Sequence, residues 1–199
     1  MASYPKKRLI PIILVIVIVI VVVAALVSIT RSIFFSSNAP SATSNTNQNA
    51  LTNTAAGSSV RMTVRGVIVA NEDFRSYQIT ISPTSRVLTG YSGYLRTQTQ
   101  QVMLSNNIPA YEEFVNALDQ ADLNKGSELT GDRNDVSGVC ATGKLYQFEI
   151  ANNGQPVKSL WTTTCRASKG SLDATLSPLL ALFTKQIPDG ASVIRKIDL

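Results

Sequence analysis

Residues Leu9 to Thr30 constrain this chain more than any other stretch: twenty-two consecutive positions carry no charge and are dominated by Ile, Val and Leu. As a helix the run would measure about 33 Å, enough to cross the hydrocarbon core of a bilayer. Lys6, Lys7 and Arg8 precede it and Arg31 alone follows closely, which keeps the head, residues 1–8, in the cytoplasm and directs the rest of the chain outward. A secretory signal shares the basic start, and Val23-Ala24-Ala25 offers a weak cleavage site. Its apolar centre, however, is usually only about 7 to 15 residues long. The expectation is an uncleaved single-pass anchor over residues 9–30, with the lipid bilayer as its first partner and the C-terminal domain outside the cell membrane.

The anchor also explains the charge. Lys and Arg number 18 against 13 Asp and Glu, for a net +5 and a pI of 9.4. Four of the cations flank the apolar run, leaving 14 against 13 in a nearly neutral body with scattered basic residues. Nucleic acid is not expected as a partner, because phosphate binding needs clustered positive charge.

Residues 31–59 read as a flexible tether. From Ser36 to Ser59, sixteen of 24 residues are Ser, Thr, Asn or Gln, none is charged, and Leu51 is the lone large apolar side chain. Such a segment has little to bury against the entropy of ordering it. A random coil of that length spans about 27 Å. The sequence contains no N-x-Ser/Thr sequon.

From residue 60 to 199 the pattern is that of one α+β domain. Met62 and Val64 open a β-rich run that extends toward Val67–Val69, Asn71-Glu72-Asp73 reads as a turn, and Tyr77, Ile79 and Ile81 alternate as in a half-buried strand. Arg86 to Leu104 predicts one or two strands with a bend near Gly90 and Gly93. A helix follows, with Pro109 in its first turn, Glu112 and Glu113 complementing its dipole, Gly126 as its C-cap, and Tyr111, Phe114, Val115 and Leu118 as its core stripe. Ser127 to Gly138 is a polar loop whose Glu128, Asp132, Asn134 and Asp135 lack the order of a calcium loop, so no metal site is expected.

Two cysteines in a domain read as exported predict a disulfide, Cys140–Cys165. Tyr146, Phe148 and Ile150 alternate, Asn152-Asn153-Gly154 reads as a turn, and Val157 and Trp161 alternate on the return. A two-residue turn at Asn152-Asn153 places Cys140 directly opposite Cys165, on the side of Phe148 and Trp161; a turn at Asn153-Gly154 shifts the register by two and leaves them diagonal. Closing this loop is worth about 3 kcal/mol in the unfolded-state entropy account. Ser177-Pro178 then suggests a second helix with Leu179, Leu180, Phe183 and Ile187 buried, and Val193, Ile194 and Ile197 suggest a final strand.

At an offset of 69, Tyr77-Gln78-Ile79-Thr80-Ile81 matches Tyr146-Gln147-Phe148-Glu149-Ile150, Pro109 meets Pro178 and Phe114 meets Phe183. Each half then reads strand, strand, helix. The expected architecture is a ββαββα-like, mainly antiparallel sheet carrying two helices, with an extra first strand and an internal duplication; an all-β sandwich is the alternative.

The chemistry available is narrow. The chain has no His, which removes the commonest general base and most zinc sites. Both thiols are expected in a bridge, and no phosphate-binding glycine loop or nucleophile elbow is present. Glu112, Glu113, Glu149 and Asp173 remain as carboxylates for a hydrolase. No catalytic residue and no cofactor is assigned. Tyr91 and Tyr94, beside Gly90 and Gly93, form an aromatic–glycine cluster suited to a binding surface, with strand packing as the plainer role.

Pilins resemble the N-terminus only loosely: no Gly precedes the apolar run for leader cleavage and no Glu lies just inside it. The layout of basic head, Ile/Val-rich anchor, Ser/Thr/Asn tether and small exported domain resembles that of bacterial single-pass envelope proteins, a likeness without a specific motif that implies no ligand. The functional expectation is a membrane-anchored, extracytoplasmic, non-enzymatic module that binds a protein, peptide or polymer of the cell envelope. A structural subunit of a surface assembly, packing through its N-terminal helix, is the second reading, and a carboxylate-dependent hydrolase the third.

Overall fold

Alternation of apolar and polar residues from residue 58 onward builds a sheet with one face for a core and one face left polar. The structure, a computed structural model, describes residues 50–199. The expectations for the head, for Lys6, Lys7 and Arg8, for the Leu9–Thr30 anchor and for the tether before residue 50 lie outside the described residues. Among those described, no helix is long and apolar enough to cross a membrane.

Six strands, β1 (Ser58–Arg65), β2 (Arg75–Ile81), β3 (Ser85–Ser92), β4 (Thr97–Ser105), β5 (Leu145–Asn152) and β6 (Gln155–Thr163), form one antiparallel sheet in the order β4-β3-β2-β1-β5-β6. Among the described residues, α1 (Ile108–Gln120) and a short 3-10 turn (Gly131–Asn134) lie between β4 and β5, and α2 (Leu176–Lys185) and α3 (Gly190–Arg195) follow β6. The α+β class is as expected. The ββαββα order is not: four strands precede α1, and Val193 and Ile194 belong to a helix, with Ile197 just beyond it, rather than to a final strand.

β1 is the centre of the sheet, and its inward row sets the core. Val60, Met62 and Val64 face Ile81, Ile79 and Tyr77 on one side and Ile150, Phe148 and Tyr146 on the other. All nine are buried, and Leu88, Leu160, the α1 stripe Tyr111, Phe114, Val115 and Leu118, and Leu179, Phe183 and Ile187 complete the cluster. Phe114 meets Phe183 edge to face at 5.3 Å between ring centres. α3 leads Ile197 against Gly90, where a β-carbon would lie 3.2 Å from the Ile197 Cδ1.

The offset-69 matches therefore mark residues that flank β1 symmetrically. They do not mark a duplication. β2 and β5 run the same way with the same residues inward, yet β3 lies on the outer side of one and β6 on the outer side of the other, away from β1. Such an arrangement is mirror-like, and no rotation superimposes its halves. The likeness of the two pentapeptides follows from similar surroundings on either side of one strand.

Three local expectations are corrected. Leu51 is fully buried in the core, and residues 50–57 return to the β5–β6 turn, where the Asn153 amide donates to the Gly57 carbonyl at 2.8 Å. The domain therefore begins by residue 50 rather than 60. The α1 cap is Asn107, whose side chain accepts from the Ala110 amide at 3.0 Å; no acid lies in the first turn, and the C-cap is Ala121, not Gly126. Gly126 instead bridges to Leu172, where a β-carbon would collide with the Ser171 carbonyl at 2.1 Å.

The disulfide Cys140–Cys165 forms, with 5.5 Å between α-carbons, but for a different reason than the hairpin suggested. β5 and β6 turn at Asn153-Gly154, a bulge follows at Ile150/Ala151, and Phe148 then pairs with Leu160, so Phe148 and Trp161 occupy opposite faces. Neither cysteine lies in the ladder. The bridge instead pins the end of the 121–144 connection to the chain leaving β6, beside the Lys144 amide bond to Thr164 Oγ1 at 2.9 Å.

Candidate functional site

The alternation that turns Val60, Met62 and Val64 inward turns Arg61, Thr63 and Arg65 outward. On the helix-free face these three lie between Thr80, Gln78 and Ser76 of β2 and Glu149, Gln147 and Leu145 of β5. Most of this grid, with Phe74, Tyr94, Arg96 and Val136, lines a cleft of about 330 Å³.

Three connections raise its walls. Phe74 closes the β1–β2 loop, the β3–β4 turn brings Tyr94 and Arg96, and the polar loop after α1 brings Val136. The Tyr94 ring stacks on Phe74 at 4.3 Å and 18°, and its hydroxyl donates to the Val69 carbonyl at 2.6 Å. The Tyr94 amide in turn donates to Asn71 Oδ1 at 2.9 Å, so both the backbone and the ring tip are held. Arg65 donates to the Val136 carbonyl, which ties β1 to the loop that the disulfide anchors at its far end. Phe74 and Leu145 are buried beside these connections, apart from the main core, and Trp161 is buried where residues 170–172 fold back on β6.

The floor is polar and mutually bonded. Gln78 donates to Thr63 Oγ1 at 3.0 Å, Gln147 donates to Ser159 Oγ at 3.1 Å, and Arg61 pairs with Glu149 at 3.2 Å. Thr63 and Ser76 are buried. Arg61 Nε is buried without a hydrogen-bond partner. Burial holds the Arg65 guanidinium below its ordinary pKa; Asp135 opposes that shift and Arg96 adds to it. Asp135 itself, fully exposed, is held below the usual carboxylate range by accepting from the Ser137 backbone amide and side chain.

Tyr91 and Tyr94, the aromatics singled out by sequence, both belong to this region. Tyr94 lines the cleft directly. Tyr91 pairs with Ser76 and supports Arg96, whose guanidinium carbon sits 4.3 Å from the centre of the Tyr91 ring. The arginines form no run in the sequence, yet Val-Arg-Met-Thr-Val-Arg over residues 60–65 is an alternation that puts two of them on one face. Arg96 is brought in only by the turn.

The carboxylates considered for hydrolysis are not brought together. Glu149 lies on the helix-free face, whereas Glu112 and Glu113 are exposed on α1 across the sheet and Asp173 is exposed beyond β6. Among the described residues no group of three or more His, Cys, Asp and Glu is placed to hold a metal. No protein-family model matches the sequence, and no curated protein is detectably similar to it.

Proposed function

We propose that this chain is a membrane-tethered, extracytoplasmic binding module of the cell envelope, and that the cleft on the helix-free sheet face is where it engages its ligand. The observation that carries this reading is the cleft itself. A sheet face is ordinarily either covered by a second layer or flat to solvent. Here three separate connections wall it, while its floor keeps arginine, glutamine and threonine side chains that a second packed layer would leave unsatisfied. The Cys140–Cys165 bridge supports an oxidising compartment. The absence of His from the sequence and the engagement of both thiols support binding without catalysis.

The test is capture from solubilised envelope by the full-length chain in detergent, compared with Gln147→Trp, which fills the cleft from a half-buried floor position. Loss of capture with an unchanged melting temperature supports the reading; undiminished capture by the filled variant refutes it.

The subunit reading has one observation of its own. β4 is an edge strand of nine residues without a charge or a proline, and among the described residues no strand pairs with its outer side. The opposite edge, β6, carries Pro156 and Lys158 and is partly covered where the Ser171 and Leu172 amides donate to the Trp161 carbonyl. An unprotected edge of that length suits pairing with β4 of a second copy. Crosslinked ladders from intact membranes that disappear in a Gln101→Pro variant would favour it; monomers only would dismiss it.

A further inference from the structure

The ligand class can be read from the cleft, granted that the cleft is the binding site. Arg61, Arg65 and Arg96 line it against one carboxylate, Glu149. Glu149 is spent on Arg61, and among the described residues neither Arg65 nor Arg96 forms an ion pair. Even with Asp135, whose charge reaches Arg65 from the loop, the cleft of a nearly neutral domain keeps an excess of positive charge, and guanidinium forks suit a planar carboxylate.

The remaining lining narrows the choice. Tyr94 is 47% exposed with its ring fixed against Phe74, an apolar plate beside the charge. Gln78, Gln147 and Glu149 add both donors and acceptors, which suit hydroxyl groups. A phosphate polymer of the glycerol type has no ring to lay on Tyr94 and few hydroxyls for the amides of Gln78 and Gln147. An extended acidic peptide would find no backbone to pair with, since β1 is already bonded on both sides by β2 and β5. The volume, about 330 Å³, lies at the small end for ligand sites and suits a saccharide unit rather than a folded surface. We propose that the cleft binds an acidic sugar unit of a polysaccharide: the carboxylate on Arg65 and Arg96, the ring against Tyr94, and the hydroxyls on Gln78, Gln147 and Glu149.

Calorimetric titration of the full-length chain in detergent tests this with four probes: oligogalacturonate, a neutral maltooligosaccharide, poly(glycerol phosphate) and polyglutamate. Oligogalacturonate is expected to bind, more weakly as salt is raised, and the other three to bind at least about ten-fold less tightly. Arg96→Asn should lose about ten-fold or more while melting like the parent, since Arg96 sits on an exposed turn at φ 57°, a conformation Asn tolerates. Arg65→Lys should also weaken binding although it keeps the charge, because an ammonium lacks the fork. The proposal is overturned if oligogalacturonate does not bind, if any other probe binds as tightly, or if neither arginine variant changes its affinity. Failure of oligogalacturonate while Gln147→Trp still abolishes envelope capture removes this inference alone. Capture that survives Gln147→Trp removes the binding-cleft reading and this inference with it.

Discussion

Replacing Leu51 by Ala tests where the folded domain begins. By composition the residue belongs to a polar tether, where the change would cost nothing. In the structure its side chain is fully buried in the core cluster, with Ala50 packed beside it and the following residues bonded to the β5–β6 turn. Buried Leu→Ala changes cost about 2.7 to 5.0 kcal/mol, the spread reflecting how far the cavity collapses. Leu51 lies near the chain's entry, where relaxation is easier, so about 3 kcal/mol is expected. For a domain of this size each kcal/mol moves the midpoint by about 3 °C, giving a fall of about 9 °C. Trp161, the single tryptophan, is buried on the cleft face and reports unfolding by fluorescence. A urea titration of Leu51→Ala and parent should show a lower midpoint at unchanged slope. A difference below about 0.5 kcal/mol, the range of surface substitutions, would refute burial of this segment.

Two further outcomes are expected. Replacing both Cys140 and Cys165 by Ser should lower stability by about 3 kcal/mol in the same titration, because the bond separates residues 25 apart and its loss frees the unfolded chain; an unchanged midpoint would mean the loop is held without it. Burial raises the pKa of Tyr77, Tyr111 and Tyr146, so the native state keeps protons that the unfolded state releases near the ordinary value of 10. Stability from these groups is therefore complete below about pH 10 and falls as pH rises beyond it, by up to about 1.4 kcal/mol per pH unit for each tyrosine. Urea midpoints measured from neutral to strongly alkaline pH check the sign, and a flat or rising profile contradicts it.

Periodicity revealed much of the fold and little of the site. Tyr77, Ile79 and Ile81, the α1 stripe and the Phe148 strand were legible because burial on one face leaves a repeat of two or 3.6 in the sequence. Leu51 was not, since one apolar residue in a polar run has no period; only the surrounding core reveals it. The hairpin register misled for a related reason. Three adjacent residues, Asn152, Asn153 and Gly154, allow more than one turn, and the bulge at Ile150/Ala151 shifts the ladder by a further position, so turn geometry alone does not set the register, and loops rather than the ladder bring the cysteines together. The repeat at offset 69 recorded shared neighbours across β1 rather than shared ancestry of two halves. The cleft was half legible: Arg61 and Arg65 follow from alternation, but Arg96, Tyr94, Phe74 and Val136 come from three connections whose convergence depends on strand order, and strand order is a property of long-range pairing.

Hydrogen exchange followed by mass spectrometry, on the full-length chain with and without solubilised envelope polymer, tests the central claim most directly. Binding in the cleft should slow exchange in the segments spanning residues 66–74, 93–96 and 131–138, the walls of the cleft, whose backbone amides lie largely outside the sheet ladder. Protection confined to β4, with the walls unchanged, would contradict the cleft as the binding site and turn the account toward assembly through the sheet edge.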